Sequence, residues 1–573
     1  MDTSSRMAKR TPVVHSKLSK PRTVEDTFTT LRSGLLNLNG TARPVLLWLL
    51  TMLLWLPGLG NLPLRDWDEG RVATVARSTI ARLNLGLTDT DRFLAWKWDE
   101  AYLNKPPGLH WLIGSSTHFF GEHEWAVRLM PCLIASLAVP LILLLRRQLG
   151  GHGAENKALL AALILMTLMP MARHGRLAML DGSLVTSALL LWTGWLGSRS
   201  TPWHGLLAGL GATGILMLKP PALIGFVLIT VIISFLDRHH SLWRRKAMAW
   251  FATGISPGIA WHALHISRRG NDALLMWGGQ GLHRVAGVVG DSTGAFILPI
   301  TEVLEGGWPW LLLLPLGVKL AWQQRLRCSG RWELGLLFGS AALVLPLRSQ
   351  LPWYSHLLWP SIALVCAEGL DQIMTCGRPR WISRIWVLMG AILLIGNQLT
   401  SMSRTTIELP HIALICAGIG LFAGGLQLNQ TSKKRRRRGL ITLLVGWGVS
   451  LLALWHSQLW LWELNESWDP RPIASAIREL PSEAKVILTG PTRPSLGWYA
   501  NREMLQETDK TTESHWAVSN KPMKRCQARN EAMGSDKEQQ NWKLWYCDTS
   551  KGSDSEQPVI GNNATRQNGL LSQ

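Results

Sequence analysis

Three carboxylates stand close together at the end of the first long apolar run of the chain. Asp66, Asp68 and Glu69 lie in the segment Arg65-Asp-Trp-Asp-Glu-Gly-Arg71. A carboxylate beside a membrane is costly unless it is solvated or paired, so such acids are candidates for function. Paired acids also raise the pKa of one member, which suits a general base near neutral pH. The competing interpretation is a solvated loop that only ends the helix.

A lysine held in extended backbone is the second candidate. Lys105 belongs to the segment Asn104-Lys-Pro-Pro-Gly-Leu-His-Trp111. The proline that follows this lysine favours an extended conformation for it. An ordered ammonium at a membrane surface suits an anionic phosphate. A lysine that extends its charge from the lipid towards water would give the same sequence pattern.

The composition indicates a membrane protein. The chain has 573 residues, of which 47% are apolar and 17% charged, against about 25% charged in soluble domains. The 31 Trp against 4 Tyr also fit membrane interfaces. The net charge of +21 comes from short basic clusters between apolar runs, which excludes a soluble nucleic-acid binder. The 7 scattered Cys include no CxxC pair, which disfavours a structural zinc site.

Apolar runs predict about thirteen membrane spans. The runs cover residues 44–64, 129–145, 158–172, 182–198, 202–218, 220–236, 247–267, 306–324, 334–347, 349–367, 385–403, 409–429 and 439–462. Lys and Arg concentrate in the N-terminal arm and in alternate connectors. By the positive-inside rule the N-terminus is then cytoplasmic and the C-terminus exterior.

The domain organisation follows from these runs. Residues 1–43 form a basic cytoplasmic arm, residues 44–462 a transmembrane catalytic domain, and residues 463–573 a small exterior α/β domain. Within the second domain, residues 65–128 form an exterior loop with an amphipathic, interfacial helix. In the tail, residues 472–480 are expected to be helical and residues 485–489 to form a strand. Cys526 and Cys547 form a disulfide or remain free thiols; both are open.

Ordered motifs along the chain carry a family resemblance. They are Asp68-Glu-Gly-Arg71, Lys105-Pro-Pro-x-x-x-Trp111, Phe120-Gly-x-x-Glu-Trp-Ala-x-Arg128, Arg173-His-Gly-Arg-Leu-Ala-Met-Leu-Asp181, Leu218-Lys-Pro220, His283-Arg284 with Gly307-Trp-Pro-Trp310, and Leu351-Pro-Trp-Tyr354 with Leu358-Trp-Pro360. Together they resemble the bacterial ArnT-type aminoarabinose transferases. Those are grouped with the protein O-mannosyltransferases in the GT-C class of membrane glycosyltransferases. The resemblance spans residues 42–370.

The resemblance implies an all-α polytopic membrane protein of the GT-C type that carries an exterior α/β domain. Its implied activity is glycosyl transfer from a polyprenyl-phosphate sugar, such as one on undecaprenyl phosphate, to a lipid A-like or protein acceptor. Its implied location is the plasma (inner) membrane, with the reaction on the exterior face. Membrane lipids, the donor and the acceptor are its expected partners, nucleic acid is not, and a monomer is expected.

The resemblance also suggests roles for the acidic residues. Glycosyl transfer needs a base for the acceptor proton, and Asp68 is assigned that role with Glu69 tuning its pKa. Asp181 would orient the acceptor or a basic residue. Alternatively, Asp181 only caps a span, since aspartate favours helix starts.

Basic residues supply the expected clamp for the donor phosphate. Lys105 and Arg284 are the first choices, because lysine offers a point charge and arginine a bidentate fork. Lys219 would join this clamp or extend towards water, and Tyr354 would contact the donor or anchor at the interface. These basic and aromatic residues, like Asp68 and Asp181, fall at the predicted exterior ends of the spans.

Two positions depart from the family pattern. Asn104 replaces a glutamate that often precedes the motif lysine, which removes an acidic metal ligand. With only His110 and His283 nearby, we expect no metal and no cofactor. Pro220 replaces a glycine after Lys219, which would alter the donor pocket.

Two other functions compete with glycosyl transfer. A lipid or sugar transporter or flippase would place charges near the membrane midplane and use repeated halves. The predicted spans are nearly free of charge and no repeat is evident, which counts against transport. A structural assembly factor would leave the acidic loop unexplained.

Overall fold

The computed structural model of this protein describes residues 42–84, 90–237, 244–278, 297–348, 350–401, 408–460, 468–506, 514–523, 526–535 and 541–548. These parts are mostly helical. The helices are α1 (Ala42–Trp55), α2 (Arg71–Asn84), α3 (Gly108–Phe120), α4 (Glu124–Ser136), α5 (Ala138–Leu149), α6 (Ala154–Thr167), α7 (Met169–Gly175), α8 (Leu180–Gly197), α9 (His204–Leu216), α10 (Pro220–Leu236), α11 (Arg245–Arg269), α12 (Leu275–Trp277), α13 (Leu298–Gly306), α14 (Leu314–Gln323), α15 (Cys328–Val344), α16 (Trp359–Cys376), α17 (Arg380–Ser401), α18 (Leu409–Leu428), α19 (Lys433–His456), α20 (Arg471–Arg478) and α21 (Pro494–Ala500).

Short 3-10 helices and strands complete the described secondary structure. The 3-10 helices are Thr90–Phe93, Gly270–Leu274, Trp310–Leu313 and Pro352–Leu358, and a π-helical turn covers Asp66–Gly70. The strands are β1 (Trp96–Lys97), β2 (Glu100–Ala101), β3 (Val486–Leu488), β4 (Leu505–Gln506), β5 (His515–Ser519), β6 (Cys526–Ser535) and β7 (Asn541–Cys547).

Several helices can cross a membrane by length and composition. Among the described residues they are Glu124–Leu149, Trp353–Cys376, Arg380–Leu399, Leu409–Leu428 and Lys433–His456. Helices α6 and α7 form a sixth candidate that bends by 61°. Pro170 in the first turn of α7 explains the bend, because proline cannot continue the hydrogen bonding of α6. Shorter apolar helices such as α1, α9 and α10 accompany them. The number thirteen stays a prediction.

Helices α8 and α10 run in the same direction, as contacts at both of their ends demonstrate. Asp181 in the first turn of α8 accepts a hydrogen bond from Lys219, which directly precedes α10. At the other end, Arg199 follows α8 and binds Asp237, which follows α10, at 2.6 Å. Helix α8 has 18 residues and so spans about 27 Å. The two ion pairs therefore lie about one bilayer thickness apart.

A buried ionic cluster ties several helices at the end away from Asp181. Glu368 binds Arg146 at 2.7 Å and Lys157 at 2.7 Å, and Arg146 also approaches Glu333 at 2.9 Å. These residues come from α5, α6, α15 and α16. Buried charges persist where they are paired, as here. Arg146 and Lys157 flank one of the connectors that the charge distribution assigns to the cytoplasm.

Small residues allow close packing between neighbouring helices. A Cβ atom at Gly209 of α9 would collide with the carbonyl oxygen of Phe251 in α11. One at Gly420 of α18 would lie 2.9 Å from the Cα of Gly446 in α19. Small residues bring helix backbones together in membranes, where the hydrophobic effect does not drive helix association.

The C-terminal part of the chain forms a five-stranded mixed sheet. Its strand order is β4-β3-β5-β7-β6. Strand β3 runs parallel to β4 and β5, while β5, β7 and β6 pair antiparallel. Cys526 and Cys547 are register partners on β6 and β7 and form a disulfide. Helix α20 contributes Ile473 and Ile477 to the buried core beside this sheet.

Candidate active site

One arginine, Arg128, holds the acidic loop in place. Arg128 donates hydrogen bonds to the carbonyl oxygens of Leu59, Leu62 and Pro63 at 2.7–2.8 Å. The same guanidinium binds both carboxylate oxygens of Glu69, at 2.8 and 2.6 Å. This arginine is fully buried and therefore fixes the loop between α1 and the π-helical turn.

Glu69 is a structural residue in this arrangement. Besides Arg128, it accepts hydrogen bonds from the backbone N–H groups of Arg65 at 3.0 Å and Ala178 at 2.8 Å. Although burial opposes ionisation, the charge and hydrogen bonds of Arg128 and these amides hold the pKa of Glu69 below its usual value. The tuning of Asp68 by Glu69 stays a prediction, and the structure shows the Glu69 carboxylate bound to Arg128 and to two backbone amides.

Asp66 binds the C-terminal sheet region. Its Oδ1 accepts hydrogen bonds from the N–H and hydroxyl of Ser495, at 3.1 and 2.7 Å, and its Oδ2 binds Arg493 at 3.1 Å. A Cβ at Gly70 would collide with the backbone of Ser495. The π-helical turn is therefore packed directly against the start of α21.

Further contacts join the same two regions. The Tyr499 hydroxyl accepts a hydrogen bond from the Leu64 N–H at 2.9 Å and donates one to Glu124 at 2.9 Å. Arg77 of α2 donates to Asn501 at 3.0 Å. The C-terminal part of the chain thus lies on the same side as the acidic loop.

Asp68 is the carboxylate of the turn that stays accessible. Its side chain is 29% exposed, whereas those of Asp66 and Glu69 are fully buried. Arg65 approaches it at 3.4 Å. Burial raises the pKa of Asp68, and the nearby carboxylate of Asp181 raises it further, while Arg65, Lys219 and Arg71 lower it. Asp181 is thus one carboxylate that acts on the pKa of Asp68.

Three of the predicted site residues meet at the ends of α8 and α10. The Lys219 ammonium donates to Asp181 Oδ1 at 2.6 Å and lies 5.3 Å from the centre of the Tyr354 ring. The side chains of Asp181 and Lys219 are 9% and 18% exposed, so this pair is mostly shielded from solvent. The Ala178 N–H binds Glu69, and Arg65 contacts both Asp68 and Met179, so the start of α8 lies beside the acidic turn. Asp181 thus binds a basic residue, Lys219, from the first turn of α8.

Lys105 lies on the segment that leads into α3. Its charge helps to lower the pKa of His110, which burial brings down to about 4. The ring centre of Tyr102, three residues before Lys105, lies 5.9 Å from the ring centre of His110. The charge of Asp68 acts on the pKa of Tyr102. Burial and the charge of Asp68 raise the pKa of Tyr102 to about 12, so it remains a neutral hydrogen-bonding group. Arg284, the other expected phosphate ligand, lies outside the described residues.

Sequence reasoning missed several residues that shape this site. Arg65 precedes Asp68 by three residues, a spacing at which side chains meet on a helical turn. That spacing was the available signal for Arg65. Tyr102 stands in a short hairpin region with no distinguishing pattern, so nothing in the sequence indicated its position near Asp68. Within the described residues, no group of three or more His, Cys, Asp or Glu side chains could hold a metal ion.

Comparisons with known proteins show what this chain is similar to. Residues 104–261 match the family model described as dolichyl-phosphate-mannose-protein mannosyltransferase. The chain is 24% identical to an undecaprenyl phosphate-alpha-4-amino-4-deoxy-L-arabinose arabinosyl transferase of Aeromonas salmonicida, over 82% of this chain and 86% of that one. A transferase of the same name from Pseudomonas aeruginosa is 25% identical, over 73% and 72%.

Solved structures share the fold. The crystal structure of ArnT from Cupriavidus metallidurans in the apo state superposes with a TM-score of 0.67 at 16% identity, over 90% of this chain and 99% of that one. The structure of the same protein bound to undecaprenyl phosphate gives a TM-score of 0.63 at 15% identity, over 89% and 98%.

These matches support a membrane glycosyltransferase. In sequence the chain is similar to the arabinosyl transferases, and in fold it is similar to ArnT. This confirms the sequence-based expectation of a mainly helical membrane enzyme. The transporter alternative receives no support from these matches.

Proposed function

We propose that this protein transfers a sugar from a polyprenyl-phosphate donor, of the undecaprenyl type, to an acceptor on the exterior face of the inner membrane. The observation that carries the proposal is the contact of the acidic turn around Asp68 with the segment that starts α8, where Asp181 binds Lys219. It brings a carboxylate with a raised pKa beside a positive charge, which are the two groups that transfer from a phosphate-linked sugar requires. The names of the relatives and the undecaprenyl phosphate bound to the similar ArnT structure support this donor class.

Asp68 acts as the general base in this proposal. It takes the proton of the acceptor hydroxyl or phosphate as the acceptor oxygen forms a bond to the anomeric carbon. The bond between that carbon and the donor phosphate oxygen breaks, and polyprenyl phosphate departs with the electron pair. Because the leaving group is already a stable phosphate anion, no general acid is needed. The raised pKa of Asp68 makes it a stronger base than an ordinary aspartate.

Basic side chains stabilise the departing phosphate. Lys219 is held by Asp181, so its ammonium is positioned before the donor arrives. Tyr354 lies beneath this ammonium and contributes a face of negative potential. Lys105 and Arg284 are the further basic residues of the proposed clamp. Asp181 thereby acts through Lys219 as a positioning residue.

The proposed membrane arrangement has about thirteen spans, a cytoplasmic N-terminus and an exterior C-terminal domain of residues 463–573. The contacts of Asp66 with Ser495 and of Leu64 with Tyr499 support a common side for the acidic loop and the C-terminal region. The Arg199–Asp237 pair at the far end of α8 supports the assignment of its connector to the opposite side. A monomer is the proposed state.

The acceptor class is the part of the proposal that needs its own experiment. The purified protein, reconstituted with an undecaprenyl-phosphate sugar carrying a radioactive label, is offered lipid A or an unfolded protein substrate. Lipid A is the proposed acceptor, so label is expected in the lipid fraction. Label confined to protein would favour an O-mannosyltransferase-like activity instead. Absence of transfer to either acceptor, with an active ArnT as control, would contradict the proposed function.

A further inference from the structure

A second charged site lies at the membrane face opposite Asp68. Tyr354 lies at the active-site end, near the start of the helical segment Trp353–Cys376, which has 24 residues and is about 36 Å long. The turn after Cys376 therefore emerges on the other side. There, an open cavity of ≈ 600 Å³ is lined by Pro315, Leu316, Lys319, Gln372, Arg378, Pro379, Arg380 and Trp381.

Three cations line this cavity without compensation. Lys319, Arg378 and Arg380 are exposed, and none has a hydrogen-bond or ion-pair partner among the residues that the structure describes. The cavity lining includes no acidic residue within those parts of the chain. By contrast, the basic residues Arg146, Lys157 and Arg199 on the same side are paired with carboxylates. In this cavity, by comparison, three cations stand together with no carboxylate in the lining.

The backbone adds a further positive potential. Arg380 is the first residue of α17, a helix of 22 residues with no acidic residue in its first turn. A helix N-terminus presents unpaired N–H groups and a partial positive charge. Arginines at this end are unfavourable unless an anion is present, because like charges are brought together. The first turn of α17 and the three cations therefore favour the same ligand charge.

The turn that carries two of these cations is held in place. Arg436 of α19 donates hydrogen bonds to the carbonyl oxygens of Met374 at 3.2 Å and Thr375 at 2.9 Å. Gly377 has a φ of +68°, and a Cβ there would lie 2.9 Å from Arg436 Nη1. This packing fixes the chain between α16 and α17. Arg378 and Arg380 are consequently presented by a defined turn rather than by a loose loop.

We propose that this cavity binds the phosphate-bearing headgroup of an anionic phospholipid from the leaflet opposite the active site. Leu316 and Pro315 provide an apolar wall for the first acyl carbons, and Trp381, which is 46% exposed, provides an interfacial aromatic ring. Basic pockets between membrane helices on the cytoplasmic side suit anionic headgroups. This site is independent of the proposed transfer reaction.

The test compares two sets of charge-removing variants of the full-length protein. The first combines Lys319→Gln, Arg378→Gln and Arg380→Gln. The control combines Arg244→Gln, Arg245→Gln and Lys246→Gln, which removes three exposed cations that do not line the cavity. Each protein in neutral detergent is titrated with phosphatidylglycerol, and bound lipid is counted by native mass spectrometry.

The wild-type protein and the control are expected to retain one phosphatidylglycerol with affinities within twofold of each other. The cavity variant is expected to bind at least 100-fold more weakly, since each cation near an anionic headgroup contributes about fivefold. Equal losses in the two variants would overturn the proposal, because general surface charge would then explain binding. Unchanged binding in the cavity variant would overturn it equally.

Two further measurements complete the test. One distinguishes a lipid phosphate from free phosphate, and the other replaces the triple variant if that variant misfolds. Inorganic phosphate is expected not to compete with phosphatidylglycerol at millimolar concentration, and full competition would indicate a free-anion site and contradict a lipid site. Arg378→Gln alone keeps two of the cations and serves if the triple variant does not fold. It is expected to lower lipid affinity about fivefold, and an unchanged affinity would contradict the proposal.

Discussion

The ammonium of Lys219 lies 2.6 Å from Asp181 Oδ1, although the two residues are 38 positions apart in the chain. Each stands at the start of a helix, and both helices begin on the side of the acidic loop. Asp181 raises the pKa of Asp68, the candidate base, and Lys219 lowers it. Because Lys219 is also a candidate ligand of the donor phosphate, the pair links the base to the phosphate clamp. This relationship gives the account its most specific consequences.

The first prediction concerns the pH dependence of transfer. Lys219 lowers the pKa of Asp68, so Lys219→Gln should raise it. A base must be deprotonated to act, and the acidic limb of the kcat/KM profile should therefore move to higher pH in the variant. The profile is measured with a saturating acceptor concentration. Lys246→Gln, which removes a distant exposed cation, should leave the limb in place. A limb that moves to lower pH in Lys219→Gln would contradict the assignment.

A second prediction concerns donor binding. Lys105→Ala should weaken binding of the polyprenyl-phosphate donor without unfolding the protein. Loss of one hydrogen bond to a charged phosphate costs about 1.5–3 kcal/mol, which corresponds to roughly ten- to a hundred-fold in affinity. Binding of undecaprenyl phosphate alone is the measurement. Lys97→Ala, which changes a lysine in β1, is the control. Equal donor affinity in wild type and Lys105→Ala would remove this lysine from the clamp.

The third prediction separates a structural carboxylate from a catalytic one. Glu69→Gln leaves the buried Arg128 charge without its partner, which costs about 3–5 kcal/mol. The thermal unfolding temperature should fall markedly. Glu122→Gln breaks a more exposed pair with Arg77 and should cost about 1 kcal/mol or less. If Glu69→Gln were as stable as the wild type yet inactive, Glu69 would instead take part in catalysis.

A fourth prediction concerns the contact between the acidic turn and the C-terminal region. Ser495→Ala removes the 2.7 Å hydrogen bond to the buried Asp66 carboxylate, worth about 1.5–3 kcal/mol. Limited proteolysis should release the C-terminal region sooner in this variant. Ser475→Ala removes an exposed hydrogen bond within α20 and should behave like the wild type. Identical proteolysis of the two variants would mean that the Asp66 contact does not hold the C-terminal region.

The positions of the main site residues could be predicted because they depend on local sequence patterns. Asp68, Asp181 and Lys219 each stand at the end of an apolar run, and alternate ends of such runs share one side of a membrane. The run lengths and the Lys and Arg distribution therefore placed these residues on a common face. The structure adds the distances within that face.

The roles of the other two acids could not be predicted, since they depend on long-range contacts. Glu69 meets Arg128 across 59 positions, and Asp66 meets Ser495 across 429. Adjacent carboxylates in a sequence favour the interpretation of a coupled pair. In the fold, the side chains of Asp66 and Glu69 bind two different buried partners. Only tertiary packing decides between these outcomes.

The central claim is that Asp68 is the general base for sugar transfer from a lipid-linked donor. Asp68→Asn keeps the size and polarity of the side chain but removes the proton acceptor. The most direct measurement is the single-turnover rate of transfer from an undecaprenyl-phosphate sugar, with donor affinity measured in parallel. We expect the rate to fall by about 10²–10⁴-fold while donor affinity stays within a few-fold of the wild type. A full transfer rate in Asp68→Asn would contradict the account.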